Sequence, residues 1–300
     1  MIVDGTEPAD LMIHLPASRD RAAARVADPA PAPGRRLVDD PGDLAAAAAA
    51  LRAGAVVGHP FANVYALTSR PDAATVRSVN LLAGRPPRQV GSVTTTPMRL
   101  PLLLDRSRLP LAGHAVLGLL DALLGLGPIG VRGPAAAGVP GHVTQVDGGV
   151  RTVRVLSPGL ACPSTDFLAR ALHAAGTELL AVTVAGRSRQ LPVAGEQPAH
   201  RRAAGLRTDF GDDPRFLLLE HRDERDAQAR YPAYAPVAPT VLTLPTVPAT
   251  GRRPRLVLER HGSLTAERVR DVIDGFGFDL VPRPHARHPL PPRRYAAVGA

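Results

Sequence analysis

Residues His59 to Pro71 read HPFANVYALTSRP. They follow the short apolar run Ala55-Val56-Val57 and precede a stretch with helical spacing. A proline, a small residue, an asparagine and a tyrosine crowded between an expected strand and an expected helix predict a strand-to-helix turn. Such turns in α/β proteins often carry ligands. Upstream, Asp40-Pro41 is a helix start, and an alanine run leads to Leu51 and to Gly54, a natural stop. Ala55 to Gly58 then reads as a short buried strand. Downstream, Pro71 opens a second helix with Val76, Val79, Leu81 and Leu82 as its apolar positions.

The same reading continues along the chain. Strands are expected over 89–95, 129–132, 150–156, 179–184, 216–220, 240–244 and 255–259. A buried helix is expected over 111–126. Another runs from Ser164 to Ala175, with Ser164 as N-cap and Gly176 as stop. Thr265 caps a last helix, in which Val269, Val272 and Ile273 share a face. Residues 185–214 read as a polar, arginine-rich loop. Interspersed strands and helices predict one α/β domain over 39–281. An Ala/Pro/Arg-rich extension, 1–38, expected to be disordered, precedes it, and a basic, proline-rich tail, 282–300, follows it.

With 45% hydrophobic residues but only 3% aromatic and no Trp, the core must be close-packed from Ala, Leu and Val. The sequence contains no lysine, so all 36 basic residues are arginine. Schiff-base chemistry and lysine general bases are therefore excluded. The net charge of +9 persists to high pH and suits an anionic partner such as nucleic acid or nucleotide phosphates; solubility is the competing explanation. The single cysteine, Cys162, excludes an intrachain disulfide and a multi-cysteine zinc site, and fits a reducing cytoplasm. The first residues hold early acids and no continuous apolar core, unlike a signal peptide. The most apolar segment, 111–131, is interrupted by His114, Asp121, glycines and a proline, which fits a buried helix and strand better than a membrane span. No metal-ligand spacing and no P-loop occur. HRDERDAQAR at 221–230 lacks the downstream Asn of a kinase catalytic loop.

Several short motifs follow in order: PFANVYAL with Pro60, Tyr65 and Leu67; AGRP at Ala83–Pro86; GLGPIG at Gly125–Gly130; and TVRVLSP with Arg154. After them come TVAGRS with Thr183, Ala185 and Ser188; PTVL from Pro239; and ERHGSLT with Arg260, Gly262 and Thr265. Their order and spacing resemble the YrdC-like family, the fold of threonylcarbamoyl-AMP synthase. The resemblance implies an α/β twisted open sheet with flanking helices and a concave basic face, associated with nucleotide and double-stranded RNA binding. It implies a reaction joining threonine, bicarbonate and ATP, and phosphate contacts from Arg85, Arg154 and Arg260. Pro60, Asn63 and Tyr65 fall on the family's ligand turn, and Thr183 and Ser188 on its second polar motif.

The departures from the family pattern are as informative. Ala83 stands at the family's lysine, Phe61 and Asn63 at two threonines, Ala66 at a glycine, and Val184 and Gly186 at a serine and an asparagine. Losing one preorganised polar contact can cost a factor of hundreds in rate, so the losses weigh against the original catalysis. No catalytic residue is assigned. The resulting expectation is a cytoplasmic, diverged YrdC-like protein that binds nucleotide or RNA. One alternative is a working synthase, or a carbamoyl transferase, in which Arg85 or Arg88 replaces the lysine and Asn63 or Ser188 restores polar contacts, with ATP and Mg as its cofactors. Another is a protein-interaction module whose cleft is filled by Phe61 and Val184. His59 reads either as a base beside the turn or as a structural histidine. The tail cluster of Arg283, His285, Arg287, His288, Arg293 and Arg294 fits nonspecific nucleic-acid contact and solubilisation equally well.

Overall fold

The computed structural model describes residues 34–110, 113–187, 198–245 and 253–295. Its strands are β1 (Arg36–Leu37), β2 (Val56–Phe61), β3 (Val64–Ser69), β4 (Ser92–Thr94), β5 (Ile129–Pro134), β6 (Thr144–Asp147), β7 (Val150–Ser157), β8 (Leu180–Val184), β9 (Phe216–Glu220), β10 (Thr240–Thr243), β11 (Arg255–Arg260) and β12 (Asp279–Pro282). Its α-helices are α1 (Pro41–Arg52), α2 (Ala73–Leu82), α3 (Gly113–Leu126), α4 (Ser164–Ala175), α5 (Ala203–Phe210), α6 (Glu224–Ala229) and α7 (Ala266–Asp274). The strands form one mixed sheet in the order β1-β9-β2-β3-β8-β4-β7-β5-β10-β11-β12, with β6 beside β7.

Helix ends follow local chemistry. Asp40 caps α1 by accepting the amides of Gly42 and Asp43, Asp72 caps α2 through Thr75, and Thr265 caps α7 through Arg268. Gly176, at φ 61°, ends α4 in the left-handed conformation that glycine adopts without penalty. Ser164, expected as a cap, instead begins α4 and donates its hydroxyl to the Pro60 carbonyl. On one sheet face α1 and α4 pack Leu44, Leu51, Phe167 and Leu168 against Val57, Leu180 and Leu219. Each such side chain contributes roughly 1.5–3 kcal/mol by leaving water. On the other face α3 and α7 bury Leu119, Leu120, Leu123, Val269 and Ile273 over Val131, Val153 and Val155.

The stretch at 59–71 is not a strand-to-helix turn. It is a β-hairpin: β2 pairs antiparallel with β3, from Val57 opposite Thr68 to Phe61 opposite Val64. The tight turn is Ala62-Asn63, with Ala62 at φ 55° and fully buried. Pro60 is tolerated in the middle of a sheet because its partner Tyr65 directs both backbone groups the other way. Tyr65 N donates to His200 O at 2.8 Å, and its carbonyl accepts Ala185 N at 2.9 Å.

Residues 185–214, expected to be a loop, contain α5, and the charged stretch 221–230 contains α6. Residues 34–38, assigned by composition to the N-terminal extension, join the sheet: β1 pairs with β9 and Val38 is buried. Residues 1–33 lie outside the described residues. Beyond 281, Arg283 N bonds Leu258 O at 3.0 Å, Leu290 N bonds His261 O at 2.9 Å, and Leu290 packs on an apolar cluster, so this segment is docked along its described length. No helix among the described residues is long and apolar enough to cross a membrane.

Gly262 is a packing requirement. A Cβ there would meet the Ala238 carbonyl oxygen and come within 2.6 Å of Thr240 N, both rigid backbone. Gly262→Ala is expected to cost about 1–3 kcal/mol by overpacking. Urea denaturation checks this, and an unchanged midpoint would refute it.

Candidate functional site

The hairpin sets the first part of the site. His59 is fully buried, its Nδ1 2.9 Å from Pro60 O and its Nε2 2.7 Å from Thr68 Oγ1. The carbonyl can only accept, so Nδ1 carries the proton and Nε2 accepts from the threonine hydroxyl. Burial lowers its pKa to about 4, partly opposed by the Pro60 carbonyl. His59 is therefore neutral at pH 7, with both ring nitrogens engaged inside the hairpin, in keeping with a structural role. Asn63 donates to Tyr234 O at 2.8 Å, bracing the turn. The Tyr65 hydroxyl donates to Glu224 Oε1 at 3.1 Å, and burial with the nearby Glu224 charge raises its pKa well above 10. Cys162 is buried and accepts from Ala62 N at 3.4 Å; burial raises its pKa and keeps it a thiol.

Two of the expected site residues meet. Arg85 reaches the Thr183 hydroxyl and, at 3.4 Å, the Val184 carbonyl at the end of β8. The loop that carries Arg85 is built by Asn80. Its carbonyl accepts Arg85 N at 2.7 Å, and its side-chain amide donates to Gln89 O at 2.9 Å. Gly84 turns the chain there at φ 66°. Arg88 lies exposed on the same loop. Asn80 was not singled out in the sequence; a polar residue on the buried face of a helix, just before AGRP, was the signal available.

Arg154 lies elsewhere. Its Nε donates to Ser92 Oγ at 2.7 Å, and its guanidinium is 3.5 Å from Glu259. Glu259 is also gripped by both arms of Arg132, at 2.6 and 2.7 Å, and by the Thr243 hydroxyl at 3.1 Å. Burial alone would raise the pKa of Glu259, but the bonds and charges of Arg132, then Arg154 and Thr243, lower it to about 2. Arg154 is thus part of an ionic cluster spanning β5, β7, β10 and β11. Strand register separates it from Arg85. Ser92 stands opposite Val182 and shares that residue's face, whereas Thr183 points to the other face. Arg260 donates to Pro239 O at 2.8 Å near the start of β10. Ser188 lies outside the described residues.

Two apolar residues at positions where the resemblance implies hydroxyls come together. Phe61, 1% exposed, and Val184, 6% exposed, share one cluster with Val64, Ala66, Leu156, Val182 and Val241, over which Leu290 packs. Among the described residues, no three His, Cys, Asp or Glu side chains are grouped to hold a metal ion.

No protein-family model matches the chain, and no curated protein matches it. Solved structures do. The fold is that of the YrdC-like α/β proteins: a twisted mixed sheet with helices on its flanks. A variant of P. abyssi Sua5 superposes with a TM-score of 0.58 at 20% identity, over 81% of this chain and 62% of that one. P. abyssi Sua5 complexed with L-threonine gives 0.55 at 20% identity, over 79% and 59%. A hypothetical protein of Streptococcus mutans gives 0.50 at 12% identity, over 77% and 91%. The chain thus spans about three fifths of the Sua5 structures.

Proposed function

We propose that this chain is a cytoplasmic binding protein of YrdC-like fold that holds nucleotide or RNA phosphates and does not make threonylcarbamoyl-AMP. The observation that carries this reading is the shared burial of Phe61 and Val184, which puts apolar groups where the resemblance implies substrate hydroxyls. Ala83, buried at the end of α2, adds a methyl group where the resemblance implies a lysine. Arg85 and Arg88 on one braced loop, with the Thr183 hydroxyl, supply the phosphate contacts, since a guanidinium fork matches phosphate oxygens.

Two experiments test this. Purified protein given ATP, L-threonine, bicarbonate and magnesium is expected to release pyrophosphate at the background rate. Release that requires both threonine and bicarbonate would restore the synthase reading. ATP titrated by calorimetry at low salt is expected to bind, with affinity falling roughly tenfold or more in Arg85→Ala through loss of charge-assisted bonds. The same apolar packing favours a second reading, a protein-interaction module, which predicts no nucleotide binding at any salt concentration.

A further inference from the structure

A second basic site lies at the other end of this region. An open cavity of about 510 Å³ is bounded by Arg35, Arg207, Arg222 and Arg225, with Ala203 and Ala204 at the start of α5. That volume is within the range of small-molecule pockets, roughly 300–1,000 Å³. Its wall also contains three acids, so the orientation of the charges decides what it can hold.

Each acid is already engaged within the chain: Glu220 is buried, Glu224 half-buried and Asp223 exposed at the rim. Glu220, 5% exposed, lies beneath Arg35 and Arg207, which are 28% and 47% exposed and both pair with it. Asp223 accepts the amides of Arg225 and Asp226 and so caps α6. Glu224 Oε1 accepts both the Tyr65 hydroxyl and Ala203 N. The buried carboxylate fixes two guanidinium groups in place, and those groups are the more exposed partners. Arg35 is braced further by its bond to His221 O at 2.9 Å. Arg222 makes an exposed pair with Asp39 at 3.1 Å, the kind of contact that water and salt weaken readily. The Arg225 guanidinium makes no ion pair or hydrogen bond among the described residues.

We infer that this cavity is a binding site for a small phosphate-bearing ligand, whose phosphate oxygens are gripped by Arg207, Arg222 and Arg225 over the buried Glu220 carboxylate. Arginine forks suit such oxygens, and an open polar cavity suits a strongly hydrated ligand better than an apolar one. The site goes beyond the reading above and is separate from it. β9, which carries Glu220, is three strand spacings from β8, where Arg85 docks, or roughly 14 Å.

The test uses the full chain at low salt, with pyrophosphate as the first probe in calorimetry, then inorganic phosphate, adenosine and a short RNA. Pyrophosphate is expected to bind and adenosine not to. Arg222→Ala and Arg225→Ala are each expected to weaken pyrophosphate about tenfold. Neither disturbs Glu220, and a thermal melt confirms that each folds. Arg99→Ala removes the same charge from an exposed pair with Glu178 and is expected to leave affinity unchanged. Equal weakening in Arg99→Ala would mean general charge attraction and would overturn the site. So would pyrophosphate binding that is lost in Arg85→Ala but kept in Arg222→Ala and Arg225→Ala, an outcome that leaves the Arg85 reading standing. Binding of RNA alone, or no binding by the unaltered chain, would also overturn it.

Discussion

Glu259→Ala is expected to lose about 3–5 kcal/mol of folding stability, because it removes one partner of a buried ionic cluster and leaves the others in place. Arg132 is only 6% exposed in its side chain, and both of its arms end on Glu259. Without the carboxylate its charge has neither water nor a partner. Urea denaturation at neutral pH measures the loss, and a loss below about 1 kcal/mol would show that water reaches the cluster. The acid limb of the stability profile gives a second readout. The pKa of Glu259 falls from 4.5 to about 2 on folding. A depressed carboxylate contributes stability above its unfolded pKa and loses it as pH falls through the folded one. The expected contribution, about 3 kcal/mol, is therefore lost between about pH 4.5 and 2.

Buried histidines act at higher pH, His200 among them, its pKa lowered chiefly by burial. His59 and His221 are held neutral, each with a pKa lowered from 6.5 to about 4, chiefly by burial. Below about pH 6.5 the unfolded chain takes up protons that the folded chain refuses, so stability falls as pH drops toward 4. Glu259→Gln should keep this histidine limb and lose the lower one. A variant profile parallel to that of the unaltered protein below pH 4 would contradict the assignment.

Phe61→Ala is the other substitution with a large expected effect, about 3–5 kcal/mol, from lost transfer energy plus the cavity left behind. Phe61 is 1% exposed and sits among Val64, Val182 and Val184. Its importance is functional as well as energetic. Phe61→Thr places a hydroxyl where the resemblance implies one, yet Val184, Gly186 and Ala83 remain. The expected result is lower stability and still no threonine-dependent pyrophosphate release. Release by Phe61→Thr alone would mean that a single ring silences an otherwise intact site. A denaturation midpoint unchanged in Phe61→Ala would mean that the cluster collapses around the gap or was never closed.

Elements with local chemistry were legible. Helices α1, α2 and α7 announce themselves by a capping Asp or Thr and by apolar spacing, and α4 by its spacing and Gly176. β1, β6 and β12 were missed because they are only two to four residues long and in part exposed, so they carry little pattern. α5 and α6 were hidden in arginine-rich stretches, where their few buried positions, such as Leu206, Phe210 and Ala227, do not outweigh the polar composition. The hairpin was misread because every residue of β2 and β3 is buried, which erases alternation. Its turn is also Ala-Asn, where hairpins of this length favour glycine.

The sequence alone determined the class of sheet and helix arrangement, the dependence on arginine in place of lysine, and the apolar Phe61 within the motif at 60–67. Arg85 and Thr183 were singled out as candidates, and their side chains meet in the structure. Only the tertiary structure decided what the charges do. Arg154, expected to contact phosphate, stands beside Glu259 of β11, distant in the chain and brought close by the strand order. The Arg35–Arg207–Glu220 arrangement likewise joins three separate segments of chain. Helix caps and turns depend on neighbours within four residues and can be read in order. The pairing of buried charges depends on strand adjacency, which is set by the packing of the whole sheet and leaves no local trace in the sequence.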